Sequence, residues 1–293
     1  MRYLVGSVCV LALGVLACGE TSGSARPSAA EIEQFVDDYV ADRLVSGGPG
    51  LAVAVMGPDG VVFEKVYGTA NLEAELPVAS DTPFELASAS KQFNATAVMI
   101  LYEDGLVHPD DLVADYFPEA PPEWRQLGMT VHHPLTHQSG IHNLNSWDSG
   151  WSNLQTLAYA IYTPLDFTPG ARYTYSNTGY VLLALLVERV SGQTFEDFLQ
   201  EQIFQPLAMA QSSVPRAQPP DIPGRARSCR EGELFELPLL TVGSRGQYSS
   251  LDDLETWELA LRNPTVVSAE TQELMFTGYV DAPHSTACSP TTI

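Results

Sequence analysis

Ser88 and Lys91 stand three residues apart at the predicted start of a helix, and this pair of side chains can perform nucleophilic chemistry. Positions i and i+3 share one face of a helix, so the Lys91 amine can reach the Ser88 hydroxyl. Phe93, Ala97 and Leu101 recur at helical spacing, and the other faces are also mostly apolar, which predicts a buried helix. Burial disfavours an ammonium ion, and a neutral amine can accept the proton of a serine hydroxyl.

The lysine content of the chain bears on an alternative interpretation. In that alternative the spacing of Ser88 and Lys91 is a chance occurrence, and Ser88 only caps the helix. The chain contains two lysines, Lys65 and Lys91, against twelve arginines. Arginine stays protonated in proteins, whereas a buried lysine can lose its proton. A rare lysine in an apolar helix therefore favours a position that arginine cannot fill.

The second informative stretch is Tyr175-Ser176-Asn177, which follows a turn and precedes a strongly apolar segment from Tyr180 to Val190 that stops at Gly192. This segment reads as a buried helix. A tyrosine and an amide in the loop before such a helix can be held rigidly against a pocket, although tyrosines are common in loops. Taken alone, the motif is a weak indication of a site.

The chain begins with a basic residue and an apolar run from Leu4 to Ala17, which is typical of a secretory signal and short for a membrane span. Val15-Leu16-Ala17-Cys18 resembles a bacterial lipobox. We expect residues 1–17 to be a signal peptide, Cys18 to carry a lipid anchor and residues 18–28 to form a tether. A plain secretory signal and a buried N-terminal helix are the alternatives. The lipobox predicts export to the bacterial periplasm or cell envelope.

Residues 29–293 are long enough to form one large domain. The net charge of −22 argues against binding of nucleic acid or anionic headgroups, so we expect a membrane contact only through the lipid anchor. Separately, we expect a monomer that acts on a small-molecule or peptidoglycan-peptide substrate. Outside the predicted signal and anchor, two cysteines remain, Cys229 and Cys288. They could pair in an oxidising compartment or stay as free thiols.

The predicted elements indicate an α+β protein. A capping box at Ser28 starts an amphipathic helix, and residues 51–67 read as a β-hairpin with a tight turn at Gly57-Pro58-Asp59-Gly60. Residues 213–245 look irregular. Further helices are predicted after the caps Thr194, Ser250 and Ser268.

Residues 131–142 hold four of the six histidines, which raises the possibility of a metal site. No carboxylate or cysteine lies at ligand spacing in this run, and Pro134 interrupts any helix that could align the histidines. We therefore predict neither a metal nor another cofactor.

Taken together, Ser88-Ala89-Ser90-Lys91-Gln92 and Tyr175-Ser176-Asn177 resemble motifs of the serine β-lactamase-related superfamily. Its nearest branch contains class C β-lactamases, D-alanyl-D-alanine carboxypeptidases and related esterases. Three further stretches are similar to family segments in the family's order, over roughly residues 30 to 277: Leu135–Ile141, Phe167–Gly170 and Gly246–Leu254.

The resemblance implies a β-lactamase/penicillin-binding transpeptidase-like fold, with a helical subdomain beside an antiparallel sheet. It implies that Ser88 is a nucleophile that forms an acyl-enzyme and that Lys91 accepts its proton. It also implies that Tyr175 passes protons to the leaving group and that Asn177 holds the substrate and the lysine.

The family's third motif, Lys or His-x-Gly on a strand beside the site, is not recognisable. His284-Ser285-Thr286 lacks the glycine, so we expect the C-terminal strands to be missing and the chain to be a poor, marginally folded catalyst. Two functions remain open. One is a serine hydrolase acting on peptidoglycan peptides, β-lactams or small esters. The other is a catalytically impaired, lipid-anchored protein of the same fold that binds such ligands.

Overall fold

The main core of the described chain is helical, and its strands form short antiparallel pairs. The computed structural model describes residues 27–44, 48–144, 150–216, 220–230, 233–236 and 241–280. The α-helices are α1 (Ala29–Ala41), α2 (Ser90–Glu103), α3 (Val113–Tyr116), α4 (Pro122–Gln126), α5 (His132–Leu135), α6 (Asn153–Tyr162), α7 (Asn177–Ser191), α8 (Phe195–Leu199), α9 (Leu251–Arg262) and α10 (Ala269–Phe276).

The strands form four antiparallel pairs within the described part of the chain. They are β1 (Leu51–Gly57) with β2 (Gly60–Tyr67), β3 (Thr69–Asn71) with β4 (Leu76–Pro77), β5 (Phe84–Glu85) with β8 (Tyr248–Ser249), and β6 (Cys229–Arg230) with β7 (Glu233–Leu234). The β5–β8 pair matters for the site, because it ties the chain before Ser88 to a segment far away in sequence.

The core is built around α7, whose apolar residues from Tyr180 to Val187 are all buried. Helix α2 packs against it and contributes Phe93, which is 0% exposed. The Phe93 ring stacks on Trp257 of α9 at a centroid distance of 4.2 Å and meets Phe204 edge-on at 6.0 Å. The core therefore fixes α2, and with it the Lys91 backbone, against two other helices.

Most predicted elements are confirmed. Ser28 forms the expected capping box at α1, the β1–β2 hairpin spans the predicted residues, and Gly192 ends α7 in the left-handed conformation. Thr194, Ser250 and Ser268 cap α8, α9 and α10. These signals are local, so the sequence was sufficient to place them.

Three details of the helices add to or differ from the sequence predictions. Helix α1, predicted to start after Ser28, ends at Ala41. Helix α6 was not predicted, although Ser152 forms a capping box with Gln155 at its start. Pro134 does not prevent a short helix, because it lies in the first turn of α5, where its missing N–H has no helical partner to lose.

Some expectations lie outside the described residues. These are the signal peptide, the Cys18 anchor, most of the tether, and the C-terminal stretch 281–293 with Cys288. Cys229 is buried and unpaired among the described residues. No helix in the described ranges is long and apolar enough to cross a membrane.

Candidate active site

Ser88 lies in a 3₁₀ turn, Ala87–Ala89, directly before α2. The α-helix itself begins at Ser90, so Ser88 precedes the helix instead of opening it as predicted. Ala87 has a φ of +47°, a left-handed conformation that is costly for a residue with a Cβ. This turn leaves Ser88 exposed, whereas Ser90 and Lys91 are buried. A substrate can therefore reach the Ser88 hydroxyl while the amine stays out of water.

The Lys91 amine has three oxygen partners. Its Nζ lies 2.8 Å from Asn177 Oδ1, 2.7 Å from the Ser244 carbonyl oxygen and 3.4 Å from Ser88 Oγ. The two closer partners are oxygens that can only accept hydrogen bonds. They take two of the amine protons and leave the third position of the nitrogen directed at the serine hydroxyl.

Burial and charge lower the pKa of Lys91 to about 8. The largest cause is the loss of solvation, and the positive charge of Arg245 adds to it, while Glu85 acts in the opposite direction. An amine with this pKa is deprotonated in about one molecule in ten at pH 7, and that fraction grows as the pH rises through 8. The amine can therefore serve as a base near neutral pH.

Tyr175 and Asn177 approach Ser88 and Lys91 from the loop that leads into α7. Ser176 caps this helix by accepting a hydrogen bond from the Gly179 N–H at 3.0 Å. The Tyr175 hydroxyl donates to Ser88 Oγ at 2.8 Å, and the Asn177 N–H donates to Asn143 Oδ1 at 2.8 Å. Burial raises the pKa of Tyr175, so the phenol stays protonated at neutral pH.

His137 supports this loop and was not singled out as a site residue by the sequence. Its Nδ1 accepts the Ser176 N–H at 3.1 Å, and its ring lies 4.6 Å from the Tyr175 ring and 5.0 Å from the Tyr180 ring. Burial, and then the charge of Lys91, lower the pKa of His137 to about 4, so the ring is neutral. The Leu135–Ile141 segment was the signal that could have identified this residue.

The four neighbouring histidines do not converge. His142 pairs with Asp166 at 2.8 Å, and the His132 ring packs against Tyr279 at 4.7 Å. No group of three His, Cys, Asp or Glu side chains in the described ranges is arranged to hold a metal ion.

The Ser244 carbonyl reaches Lys91 because the chain before it passes very close to the core. Gly243 has a φ of +89°, and a Cβ at this position would lie 2.4 Å from the Ala184 Cβ. Asn94, 0% exposed, donates from Nδ2 to the Gly243 carbonyl at 3.1 Å and to the Tyr180 carbonyl at 2.7 Å. A buried amide on α2 thus locks this segment to α7.

The structure brings together all four residues that the sequence assigned to catalysis and substrate binding. Ser88, Lys91, Tyr175 and Asn177 form one hydrogen-bonded group, although residues 88 and 177 come from separate elements. A hydroxyl that touches both an amine of lowered pKa and a neutral phenol has a proton acceptor and a proton donor at one atom. This arrangement suits acyl transfer through a serine nucleophile.

Comparison with known proteins places this geometry in a known family. The Beta-lactamase family model matches residues 32–288. Penicillin-binding protein 4* of Bacillus subtilis (strain 168) is 32% identical over 174 residues, which cover 56% of this chain and 38% of that protein. The chain thus spans well under half of the length of this relative. Esterase EstB of Burkholderia gladioli is 28% identical over 286 residues, covering 80% of this chain and 71% of the esterase.

Solved structures agree with the sequence matches. The octameric penicillin-binding protein homologue from Pyrococcus abyssi superposes with a TM-score of 0.76 at 29% identity, covering 88% of this chain and 62% of that one. The predicted α+β, penicillin-binding type of fold is therefore confirmed. Because the family model matches most of its length, this chain belongs to the Beta-lactamase family.

Proposed function

We propose that this chain is a serine hydrolase that works through an acyl-enzyme on Ser88. The observation that carries the proposal is the contact set of the Lys91 amine. In its neutral form, the two N–H groups are held by Asn177 Oδ1 and the Ser244 carbonyl, and the lone pair is left for the Ser88 hydroxyl proton. The Tyr175 phenol meanwhile donates to the same oxygen, so that the serine proton is free to point at the amine.

In the acylation step, Ser88 Oγ attacks the carbonyl carbon of an amide, β-lactam or ester, and its proton passes to Lys91 Nζ. The Tyr175 hydroxyl lies 2.8 Å from Ser88 Oγ and can donate its proton to the leaving nitrogen or oxygen. The proton on Lys91 then replaces the one that Tyr175 has given up. The bond from the carbonyl carbon to the leaving group breaks, and the acyl group stays on Ser88.

In the deacylation step, a water molecule attacks the acyl carbon. Lys91 and Tyr175 take the water proton by the same relay and return a proton to Ser88 Oγ, which releases the carboxylic acid. Asn177 contributes by fixing the amine and by offering its amide to the substrate. The Asn177 backbone is fixed in turn, because its N–H donates to Asn143 Oδ1.

The substrate classes that we propose are peptidoglycan peptides, β-lactams and small esters. The relatives are named as a penicillin-binding protein and an esterase, which supports an acyl donor without selecting one. All three classes present a carbonyl carbon to a serine nucleophile, so the Ser88 chemistry is shared among them. The choice depends on the shape of the pocket around Ser88.

A fluorescent penicillin and a fluorophosphonate ester test the proposal on the full chain. We expect each probe to give a dye signal that survives denaturation and gel electrophoresis, and we expect unlabelled penicillin, added first, to block it. A protein that merely binds such ligands retains the dye before denaturation and loses it afterwards. That second outcome would replace the hydrolase with the ligand-binding alternative.

We also propose that residues 1–17 are an export signal, that Cys18 carries the lipid anchor, that residues 18–28 form a tether and that residues 29–293 form the catalytic domain. The support is the Val15-Leu16-Ala17-Cys18 pattern. Cys18→Ser is expected to move the protein from the membrane fraction of a bacterial host to the soluble periplasm, because acyl chains provide the attachment. Cys9→Ser, within the proposed signal, is the matched control. A wild-type protein that is already soluble would contradict the anchor.

A further inference from the structure

The Ser244–Gln247 segment runs behind the Lys91 amine and is buried throughout. Its first residue supplies the carbonyl that accepts from Nζ at 2.7 Å, and its second residue, Arg245, is 5% exposed. A buried guanidinium needs a nearby negative charge, because an isolated buried ion loses much of its solvation energy. The segment therefore places both a carbonyl and a cation beside the proposed base.

Glu85 is the carboxyl that interacts with Arg245, and it also holds the same segment. Its Oε1 accepts the Gly246 N–H at 3.0 Å, and the backbone on either side is paired as well. The Leu86 N–H donates to the Gln247 carbonyl at 2.8 Å, and the Gln247 N–H donates to Ser90 Oγ at 3.3 Å. The chain that carries Ser88 is thus clamped to the chain that carries the Ser244 carbonyl.

Two residues with ionisable side chains affect the pKa of the Lys91 amine in opposite directions. Arg245 lowers the pKa of Lys91, and Glu85 raises it. The pKa of Glu85 is raised, chiefly by burial, and the Gly246 N–H and the charges of Arg245 and Lys91 oppose that shift. Burial lowers the pKa of Arg245, and the charge of Glu85 opposes that shift. The carboxyl and the guanidinium thus act on each other as well as on the amine.

The other titratable groups that face Lys91 are uncharged near neutral pH. His137, which follows α5, has its pKa lowered to about 4 and is a neutral ring. Tyr175, in the loop before α7, and Tyr180, on α7, have raised pKa values and stay protonated. Among the described residues, Glu85 and Arg245 are therefore the charges through which the protein can adjust the amine.

We propose that Glu85 and Arg245 are positioning residues that together set the charge state of the Lys91 amine and fix the Ser244 carbonyl against it. The proposal rests on the function of Lys91 as the base in the proposed hydrolase. In this role neither residue acts on the Ser88 hydroxyl directly. Both act through Lys91. Arg245 does so by its charge, and Glu85 does so by its charge and by its hydrogen bond with the Gly246 N–H.

Two substitutions, Glu85→Gln and Arg245→Met, are expected to shift the pKa of Lys91 in opposite directions. Glu85→Gln removes the negative charge and keeps an oxygen for the Gly246 N–H, so the pKa of Lys91 falls. Arg245→Met removes the positive charge and keeps much of the length, so the pKa of Lys91 rises. A single neighbouring charge commonly shifts a pKa by about one unit, so we expect shifts of about half a unit to one unit each. The charge-conserving Arg245→Lys is expected to leave the titration midpoint near that of wild type.

Carbon-13 NMR of the lysine Cε atoms measures this property directly, and it does not require turnover. The full chain has only two lysines, so the spectrum contains two signals, and Lys65→Arg assigns them. Lys65 serves as an internal reference, because Asp37 and Glu33 raise its pKa. In parallel, the rate of acylation by a penicillin is measured against pH. In wild type the acylation rate is expected to rise near pH 8. Glu85→Gln should move this rise to lower pH and Arg245→Met should move it to higher pH, each by the pKa shift that NMR measures.

A merely structural role predicts a different pattern. Both substitutions would then lower stability and rate while the Lys91 midpoint stays in place or moves in one direction for both, and that result overturns the proposal. Folding is checked by thermal melting, and Glu85→Gln, as the isosteric change, remains informative if Arg245→Met does not fold. Failure of the proposed hydrolase and failure of the proposed Glu85–Arg245 pair give different results. Opposite NMR shifts with no labelling of wild type by either the penicillin or the fluorophosphonate would refute the hydrolase, while labelling without opposite shifts would refute the pair.

Discussion

Ser88→Ala is expected to abolish covalent labelling by a fluorescent penicillin and to lower kcat/KM for hydrolysis by about 10⁴–10⁶-fold, the loss that follows removal of a serine nucleophile. The physical reason is that alanine cannot form the ester bond. Ser88 is exposed and its side chain is small, so little packing is lost and the protein should melt at nearly the wild-type temperature. Gel fluorescence and steady-state kinetics provide the measurements.

Ser90→Ala is the matched control for this prediction. Ser90 lies two residues further on, is buried, and uses its Oγ to accept the Gln247 N–H at 3.3 Å. Its loss removes one buried acceptor, at a cost of about 1–3 kcal/mol of stability, and leaves the Ser88 hydroxyl in place. The label should therefore persist in Ser90→Ala. Persistent labelling of Ser88→Ala, or its loss in a folded Ser90→Ala, would reverse the two assignments.

Lys91→Arg is expected to lower the acylation rate by about 10³-fold, within the usual range for a general base. Guanidinium remains protonated over the whole working range of pH, so it has no lone pair to accept the Ser88 proton. A longer, planar group also cannot keep both short contacts that the amine makes with Asn177 and Ser244. The acylation rate of the variant should be low and should not rise near pH 8, because the Lys91 amine that titrates there is absent.

Lys65→Arg is the control for the lysine prediction. Lys65 forms ion pairs with Glu33 and Asp37 of α1 on the surface of the hairpin, and arginine can make the same pairs. Its acylation rate and pH profile should match those of wild type. Acylation of Lys91→Arg at close to the wild-type rate, measured by stopped-flow with a chromogenic penicillin, would remove Lys91 from the mechanism.

The sequence predicted those parts of the site that depend on local signals. The spacing of Ser88 and Lys91 placed both residues on the same side of a helix start, and the apolar segment after Tyr175 predicted α7. The rarity of lysine in the chain indicated that Lys91 stands where the side chain must be able to lose its proton. The helix caps at Thr194, Ser250 and Ser268 were read correctly for the same reason, since a cap involves residues three apart.

Other parts of the site depend on contacts between distant segments and gave no local signal. The Ser244 carbonyl is a backbone group, which every residue has, so the residue type at position 244 carries no information about the role of that carbonyl. Glu85 meets Gly246 across 161 positions of sequence, through the short β5–β8 pair. Ser88 also lies in a 3₁₀ turn with a left-handed Ala87 before it, a backbone detail that helical spacing does not reveal.

The proposed function depends on acylation of the Ser88 Oγ atom. The most direct measurement is to mix the full chain with a penicillin, quench it in acid within seconds, digest it and locate the added mass by tandem mass spectrometry. We expect one adduct, equal in mass to the intact penicillin, on Ser88. An adduct on Ser90, on Lys91 or on a serine elsewhere, or no adduct at any time point with either the penicillin or a fluorophosphonate ester, would contradict it.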